Sequence, residues 1–285
     1  MPTPRSELGS AVAGNKVFVS GGIGLLGSMD SFEVYDVATD RWQKRVPLPI
    51  PLHHHGTAVL GDRVYVVGGY SDLKMRPTRT AWSYDLHKDV WRPIADLPGP
   101  RAGFVLIPFD GGLVVTGGVG KDERVLWKYS PGKNSWTEFG SPLPSPREHH
   151  GAVAFDGKIL VFGGRWQGRN LNTVASYDAT QNRWRNMAPM PTARSGISAA
   201  VLNGRVHVIG GEDLDESCVY NSHEIYDPRD DSWLVGEPAP TGRHGLNVVA
   251  ADKKLFVIGG ARRAGIMTPL GVTSVVDVLM LKSDG

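Results

Sequence analysis

The most regular feature of the chain is a short apolar run that ends in a Gly-Gly pair and recurs six times. The runs read VFVS, VYVV, LVVT, ILVF, VHVI and LFVI, and successive pairs are 47, 49, 46, 47 and 49 residues apart. Short apolar runs rich in β-branched residues and bounded by turn residues are typical of buried strands. Because the spacing is nearly constant, the pattern indicates one structural unit repeated six times.

Each unit carries further marks at constant positions around this run. A turn dipeptide such as Gly61-Asp62 or Asn203-Gly204 lies seven residues before the Gly-Gly pair and predicts a two-residue hairpin. In five units a third strand ends in a tyrosine, a tryptophan follows seven residues later, and Asp or Asn stands two residues before the tryptophan. These aromatic pairs are Tyr35 and Trp42, Tyr84 and Trp91, Tyr129 and Trp136, Tyr177 and Trp184, and Tyr226 and Trp233.

The repeat predicts an all-β fold with about four short strands per unit. One such sheet cannot bury both of its faces alone, so we expect six antiparallel sheets around an axis as a six-bladed β-propeller. The aromatic pairs would then fill the seams between neighbouring sheets. We expect a single domain over 1–285, with blades at approximately 1–49, 50–98, 99–144, 145–191, 192–239 and 240–285.

The sixth unit departs from the repeat. Val276-Asp277 stands where Tyr-Asp is expected, and the chain ends before a tryptophan strand. Residues 1–22 align without a gap on residues 190–211, so the chain begins directly after the position of a fourth strand. Two alternatives follow. Residues upstream of Met1 in a longer parent chain complete the last blade, or that blade is incomplete and has three strands.

The unit resembles the kelch repeat, in which an apolar run and Gly-Gly are followed by a tyrosine (often Tyr-Asp) and then by a tryptophan. The resemblance covers essentially the whole chain, and five units match it fully. Kelch repeats form the blades of β-propellers, so the resemblance implies the same fold. It also implies a binding module, because arginines at the starts of inner strands contact acidic peptides in kelch domains that resemble ubiquitin-ligase adaptors.

Arginine recurs sixteen residues before the Gly-Gly pair in five of the six units, and Leu52 takes its place in the second. Recurrence in nearly every blade favours a structural role, in which the guanidinium bonds carbonyl groups or fills a blade junction. The alternative is that the arginines ring one mouth of the channel and bind a ligand. The five residues are Arg5, Arg101, Arg147, Arg194 and Arg243.

The positions directly after this arginine break the symmetry of the repeat. Glu7, His54 and His149 each lie two residues after it, and strand alternation puts them at equivalent depth in the channel. Imidazoles and a carboxylate suit zinc or another divalent metal, and this would support metal-dependent chemistry at the channel mouth. Hydrated channel histidines are the competing interpretation, since blades one, two and four are not evenly spaced.

The loops after the Gly-Gly pairs are the most variable segments and should share a face with the starts of the inner strands. Tyr70, Arg165 and Trp166 stand out there, beside His53 at the start of the second unit. An aromatic residue with neighbouring arginines is a common composition for a binding patch. Together with the arginines above, these residues predict a basic face that recognises an acidic peptide or protein, or an acidic sugar.

A carbohydrate-active enzyme is the alternative from another class. Kelch propellers similar to sialic-acid mutarotases place a glutamate after a Gly-Gly turn, which makes Glu212 the candidate acid or base. An arginine expected shortly afterwards is missing, because Cys218 and Val219 occupy that stretch. In the galactose-oxidase type copper is held by tyrosines and histidines beside a Tyr-Cys crosslink, and no full ligand set can be assembled around Cys218 and Tyr220. We expect no cofactor.

Composition excludes several other classes. With 41% hydrophobic and 21% charged residues among 285, the chain is not disordered, and its 31 basic and 29 acidic residues are too nearly balanced to indicate a nucleic-acid partner. No apolar run approaches the roughly 20 residues of a membrane-spanning helix. The single cysteine, Cys218, leaves no intrachain disulfide. We expect a monomer with no membrane partner; the compartment stays open, with the cytoplasm favoured.

Overall fold

The computed structural model describes residues 1–280, which form six antiparallel sheets around a central channel. The predicted all-β, six-bladed propeller is therefore confirmed. Five blades have four strands, and the last has three within the described residues. Residues 281–285 of the predicted last blade lie outside the described residues. No helix in this part of the chain is long and apolar enough to cross a membrane.

Within each blade the strands pair in chain order from the channel outward. The innermost strands are Gly9–Ala13, Gly56–Leu60, Val105–Phe109, Gly151–Phe155, Ser198–Leu202 and Asn247–Ala251. The second strands are Lys16–Ser20, Arg63–Val67, Gly112–Thr116, Lys158–Phe162, Arg205–Ile209 and Lys254–Ile258. The third strands are Phe32–Asp36, Ala81–Asp85, Trp127–Ser130, Val174–Asp178, His223–Asp227 and Val276–Met280. The fourth strands are Arg41–Lys44, Val90–Pro93, Ser135–Glu138, Arg183–Met187 and Ser232–Val235.

The loops between second and third strands carry short structures of their own. Three of them hold two-residue strand pairs: Ile23–Gly24 with Gly27–Ser28, Arg165–Trp166 with Arg169–Asn170, and Glu212–Asp213 with Cys218–Val219. In blade 3 the loop strand Val119–Gly120 pairs with Arg101–Ala102, which precedes the innermost strand. In blade 6 the loop contains a 3-10 helix, Gly265–Gly271. Backbone bridges join each of these loops to the residues that precede an innermost strand, so the two segments share one face, which we call the loop face.

The common geometry of the seams follows from the tyrosine, the tryptophan and the turn residue between them. Tyr177 donates its hydroxyl hydrogen to Asn182 at 2.8 Å, and Asn182 in turn accepts the backbone N–H of Ser141 in the preceding blade at 2.7 Å. The indole of Trp184 lies 5.1 Å from the Tyr177 ring and donates to the Ser141 carbonyl at 2.9 Å. Blades 3 and 5 repeat these bonds, so the aromatic pairs hold the seams as predicted.

The five recurring arginines are buried in the blades and are not exposed at the mouth of the channel. Each is at most 1% exposed, and in blades 3 to 6 the guanidinium donates to the carbonyl of the first glycine in its Gly-Gly pair. Their bonds to carbonyl groups agree with the structural role that recurrence favoured. The alternative, a ring of arginines in contact with a ligand, is corrected here, because burial leaves these side chains no access to one. These residues are Arg5, Arg101, Arg147, Arg194 and Arg243.

The side chain two residues before the tyrosine differs between blades, and with it the contact that the buried guanidinium makes. Glu33 pairs with Arg5 at 2.9 Å, and Glu224 pairs with Arg194 at 2.5 Å. Trp127 lies under the guanidinium of Arg101 at 3.9 Å. In blade 4 the corresponding residue is Ala175, and the partners of Arg147 are neutral carbonyl and hydroxyl oxygens.

In blade 6, too, the residue two positions before the tyrosine position contacts the buried arginine, but the tyrosine position is not the one predicted from the sequence. Second-strand Leu255 pairs with Leu279, as the equivalent Ile159 of blade 4 pairs with Tyr177. Leu279 therefore occupies the tyrosine position, and the assignment of that position to Val276 is wrong by three residues. Asp277 consequently stands two residues before this position and pairs with Arg243, in the manner of Glu33 and Glu224.

Candidate functional site

Six residues close a hydrogen-bonded ring around the channel axis, one from each blade. The N–H of each donates to the carbonyl of its counterpart in the preceding blade at 2.7–3.0 Å, and the bond from Glu7 to the Gly245 carbonyl joins the first blade to the last. All six lie two residues after the arginine position and have φ between 50° and 65°. We call this the axial ring: Glu7, His54, Gly103, His149, Gly196 and Gly245.

Three members of the axial ring are glycines, as the left-handed backbone conformation favours. The other three, Glu7, His54 and His149, adopt φ values of 50°, 55° and 51°, which costs about 1 kcal/mol or more for a residue with a Cβ. The ring closes equally well through glycine, so its backbone does not require these side chains. The structure brings all three together: one potential metal-ligand atom from each lies within 4.8 Å of the others.

A chain of contacts orients the imidazole of His54. His53 Nε2 lies 3.2 Å from the carbonyl oxygen of Asp72, and His53 Nδ1 lies 2.5 Å from His54 Nδ1. If Nε2 of His53 donates to the carbonyl, its Nδ1 accepts, and His54 donates from Nδ1. His54 Nε2 then carries a lone pair and faces Glu7 Oε2 at 3.4 Å. Burial, with the nearby His149 and His53, lowers the pKa of His54 well below its ordinary value.

A second chain orients His149. Its Nδ1 lies 3.0 Å from Glu148 Oε2, so the hydrogen is on Nδ1 and the Nε2 lone pair faces Glu7 Oε2 at 3.7 Å. Arg165 holds the other Glu148 oxygen at 2.8 Å and reaches Glu212 at 2.6 Å. Burial raises the pKa of Glu148, but His149 and Arg165 outweigh it and the net shift is downward.

His244 closes the network on the side of blade 6. Its Nε2 lies 2.9 Å from the Arg263 carbonyl, which places the hydrogen there. Its buried Nδ1 has no hydrogen-bond partner among residues 1–280 and lies 3.6 Å from Glu7 Oε1 and 3.3 Å from Glu212 Oε2. In the sequence His244 and Glu148 are visible only as polar breaks in the repeat, because their contacts with the axial ring depend on loop conformation.

The remaining predicted site residues do not form an exposed patch. His53 is fully buried, and Tyr70 is buried against the His53 and His54 rings at 5.3 Å. A ligand therefore cannot reach these two side chains, contrary to our expectation, and both pack against the imidazole of His54. Arg165 is engaged by two glutamates, whereas Trp166 is partly exposed on its loop. Glu212, the candidate acid or base, is 2% exposed.

The axial ring opens onto a cavity in the central channel of the propeller. This cavity has a volume of about 490 Å³ and is lined by the axial ring and the innermost strands of all six blades. Glu7, His54 and His149 line it, whereas Glu212 does not. A small molecule in the channel would therefore meet two imidazoles and a carboxylate, and would not meet the glutamate on which the mutarotase alternative depends.

The loop face around this centre exposes apolar side chains in three consecutive blades. Leu26 in blade 1 and Ile266 in blade 6 are 98% and 96% exposed. The other exposed members are Leu25, Leu73, Met75, Met267 and Leu270. A Cβ added at Gly27 would lie 3.8 Å from Leu73, so the loops of blades 1 and 2 lie close together. We call these seven residues the apolar patch.

Comparison with known proteins agrees with the repeat and the fold. The family model described as KLHDC2/KLHL20/DRC7 Kelch-repeats domain matches residues 54–260, and the Kelch motif model matches residues 4–49. The solved structure of YjhT superposes with a TM-score of 0.86 at 17% identity, over 100% of this chain and 97% of that one. The likeness to YjhT shows the fold alone.

Two curated relatives illustrate the extent of the match. The chain is 27% identical to Kelch-like protein terF of Aspergillus terreus, over 73% of this chain and 50% of that protein. It is 30% identical to Kelch-like protein 35 of Mus musculus, over 73% of this chain and 35% of that protein. The chain thus spans half or less of the length of these relatives. The six repeats and the match over most of the chain show that it belongs to the kelch-repeat family.

Proposed function

We propose that this propeller is a protein-interaction module whose binding surface is the apolar patch on the loop face. The observation that carries the proposal is the exposure of seven large apolar side chains in the loops of blades 6, 1 and 2. Large apolar side chains exposed together in neighbouring loops commonly mark a site of protein association. The kelch-like relatives support the same class of function.

The charges beside the apolar patch favour a partner with acidic residues. Lys74 and Arg76 are exposed in the blade 2 loop, and Arg262 and Arg263 are exposed in the blade 6 loop. A segment that places apolar side chains on the patch would bring its flanking residues close to these cations. Acidic flanking residues would speed the encounter and favour the correct orientation.

The proposal is tested by finding the partner and then measuring its affinity for defined variants. A photo-crosslinking amino acid at Leu25 captures the protein that occupies the patch in cells, and that protein is then purified. Leu26→Asp/Ile266→Asp is expected to raise the Kd about 100-fold, since buried apolar anchors dominate interface energy. Val235→Asp is the matched control, because Val235 is equally apolar and 86% exposed but lies on an outer strand of blade 5.

The acidic nature of the partner is tested separately with Arg262→Glu/Arg263→Glu. We expect at least about a tenfold higher Kd, and a weaker dependence of the association rate on salt. A tighter complex in this variant would refute the acidic partner but leave the apolar interface standing. Equal weakening by Val235→Asp and by the patch variant would refute the interface itself.

A further inference from the structure

We infer that Glu7, His54 and His149 of the axial ring bind one divalent first-row transition-metal ion, such as Zn²⁺, with a coordination position open to the channel. Two imidazole nitrogens and one carboxylate oxygen are a ligand set used for open zinc sites and for other metals of this row. The inference concerns the channel end of the loop face and is independent of the apolar patch.

Two of the three ligand-atom separations are close to those of a tetrahedral ion. Metal–ligand bonds of about 2.0–2.1 Å at tetrahedral angles put neighbouring ligand atoms about 3.3 Å apart. Glu7 Oε2 lies 3.4 Å from His54 Nε2 and 3.7 Å from His149 Nε2. Both distances are longer than the distance of about 2.7–2.9 Å that is typical between donor and acceptor in a charge-assisted hydrogen bond. Ligand atoms of all three residues lie within 4.8 Å of one another, so the imidazoles would need to move closer together to complete the set.

The hydrogen-bonding partners outside the site direct lone pairs to its centre. Asp72 and His53 place the hydrogen of His54 on Nδ1, and Glu148 does the same for His149. Both Nε2 lone pairs then face the Glu7 carboxylate, and a metal ion between them would bind all three groups; in its absence the cation near His149 Nε2 is Arg165, at 3.4 Å. The Glu148–His149 contact is the carboxylate–histidine pair that typically supports a metal-bound imidazole.

The charge of the surrounding network also favours a divalent cation. The network holds three carboxyl groups, those of Glu7, Glu148 and Glu212, and one arginine, Arg165, all on side chains at most 18% exposed. His244 also contacts Glu7 and Glu212. A divalent cation would be favoured by so many carboxyl groups in a poorly hydrated environment, where unpaired charge is costly. Arg165 is already bound by two of the carboxylates, and its Nη2 also makes long hydrogen bonds of 3.4 Å to the two nitrogens of His149, which an ion at this site would replace at Nε2.

The axial ring supplies substitutions that remove the ligands without disturbing the backbone. Gly103, Gly196 and Gly245 occupy the same ring position with the same sign of φ and the same hydrogen bonds. Changing Glu7, His54 or His149 to glycine therefore copies an arrangement that the chain already uses. Such variants should fold and should lose only the proposed ligands.

The test is a metal titration of tag-free protein first stripped with a chelator. Zn²⁺ affinity is measured by competition with a chromophoric chelator, and Co²⁺ coordination by visible absorption. We expect one ion per chain, a loss of at least about 100-fold in affinity for His54→Gly or His149→Gly, and a loss of about 10–100-fold for Glu148→Gln. His87→Ala, which removes an exposed surface imidazole, should change nothing.

The triple variant Glu7→Gly/His54→Gly/His149→Gly gives the decisive comparison. It should show no Co²⁺ absorption and no rise in melting temperature with Zn²⁺, whereas the unchanged protein shows both. Its circular dichroism without metal reports that the propeller has formed. Equal Zn²⁺ affinity in the triple variant, or failure of the unchanged protein to bind Zn²⁺ or Co²⁺, would overturn the inference.

Discussion

The buried ion pair between Arg194 and Glu224 offers a quantitative test of how the blades are held. We consider Arg194→Leu, which copies the leucine that blade 2 has at this position. Arg194 is fully buried, and Glu224, 4% exposed, would be left without its cation. Removing one member of a buried pair costs about 3–5 kcal/mol, because the remaining charge is desolvated and unpaired.

A comparison with blade 4 separates the cost of an unpaired charge from the cost of lost hydrogen bonds. Arg147 occupies the same position but bonds only neutral oxygens, so Arg147→Leu removes hydrogen bonds without stranding a charge. We expect a smaller loss there, about 2–3 kcal/mol. The double variant Arg194→Leu/Glu224→Leu should regain about 2 kcal/mol relative to Arg194→Leu, since replacing a whole buried pair is far milder than breaking it.

The assay is urea unfolding at pH 7 followed by tryptophan fluorescence, with free energies compared through midpoints and slopes. We expect Arg194→Leu to be least stable, followed by the double variant and Arg147→Leu, and then by the unchanged chain. If Arg194→Leu and Arg147→Leu were equally unstable and Glu224→Leu restored nothing, the carboxylate would contribute no energy to the seam, and the reasoning would be refuted.

Three further predictions follow from single contacts. Burial, with Arg147 and His149 nearby, lowers the pKa of His150 to about 3, whereas a histidine in the unfolded chain has a pKa near 6.5. Between pH 6.5 and pH 3 the unfolded chain therefore binds one more proton than the folded protein, and the free energy of unfolding decreases as the pH falls. The variant His150→Phe/Thr116→Val copies the apolar residues that other blades have at these positions. Between pH 7 and pH 5 its free energy of unfolding in urea should decrease by about 2 kcal/mol less than that of the unchanged chain. An equal decrease in both proteins would contradict the role of His150. Gly103→Ala should lower stability by about 1 kcal/mol in the same assay, because φ is +65°; no loss would mean that the ring backbone is relaxed. Trp184→Phe should cost about 1 kcal/mol through its bond to the preceding blade, and unchanged thermal melting would contradict the role of that bond.

The repeat made the fold predictable because every unit carries the same strands, turns and seam aromatics. A type of residue that every blade needs can be read as structural, which correctly favoured a structural role for the arginines. Their burial could not be read from spacing, because it depends on the guanidinium turning back toward the Gly-Gly carbonyl. The wrong alignment at Val276 has a simple cause: blade 6 lacks the tyrosine, and its 3-10 helix lengthens the loop before the third strand.

The candidate site was only partly predictable. Equal depth for Glu7, His54 and His149 follows from their equivalent positions in the repeat. Their close approach does not, since it depends on a narrow ring that lets side chains from unevenly spaced blades meet at the axis. The orienting contacts from Asp72 and Arg165 depend on the conformation of loops that differ in every blade, and so no repeat-based comparison could find them.

Anomalous X-ray scattering tests the metal centre most directly. Crystals grown with one equivalent of Zn²⁺ are measured on both sides of the zinc absorption edge. We predict one anomalous peak per chain, about 2.0–2.2 Å from Glu7 Oε2 and from the Nε2 atoms of His54 and His149. A peak at any other position, or an axial ring without zinc in crystals that contain the metal, would contradict the proposed site.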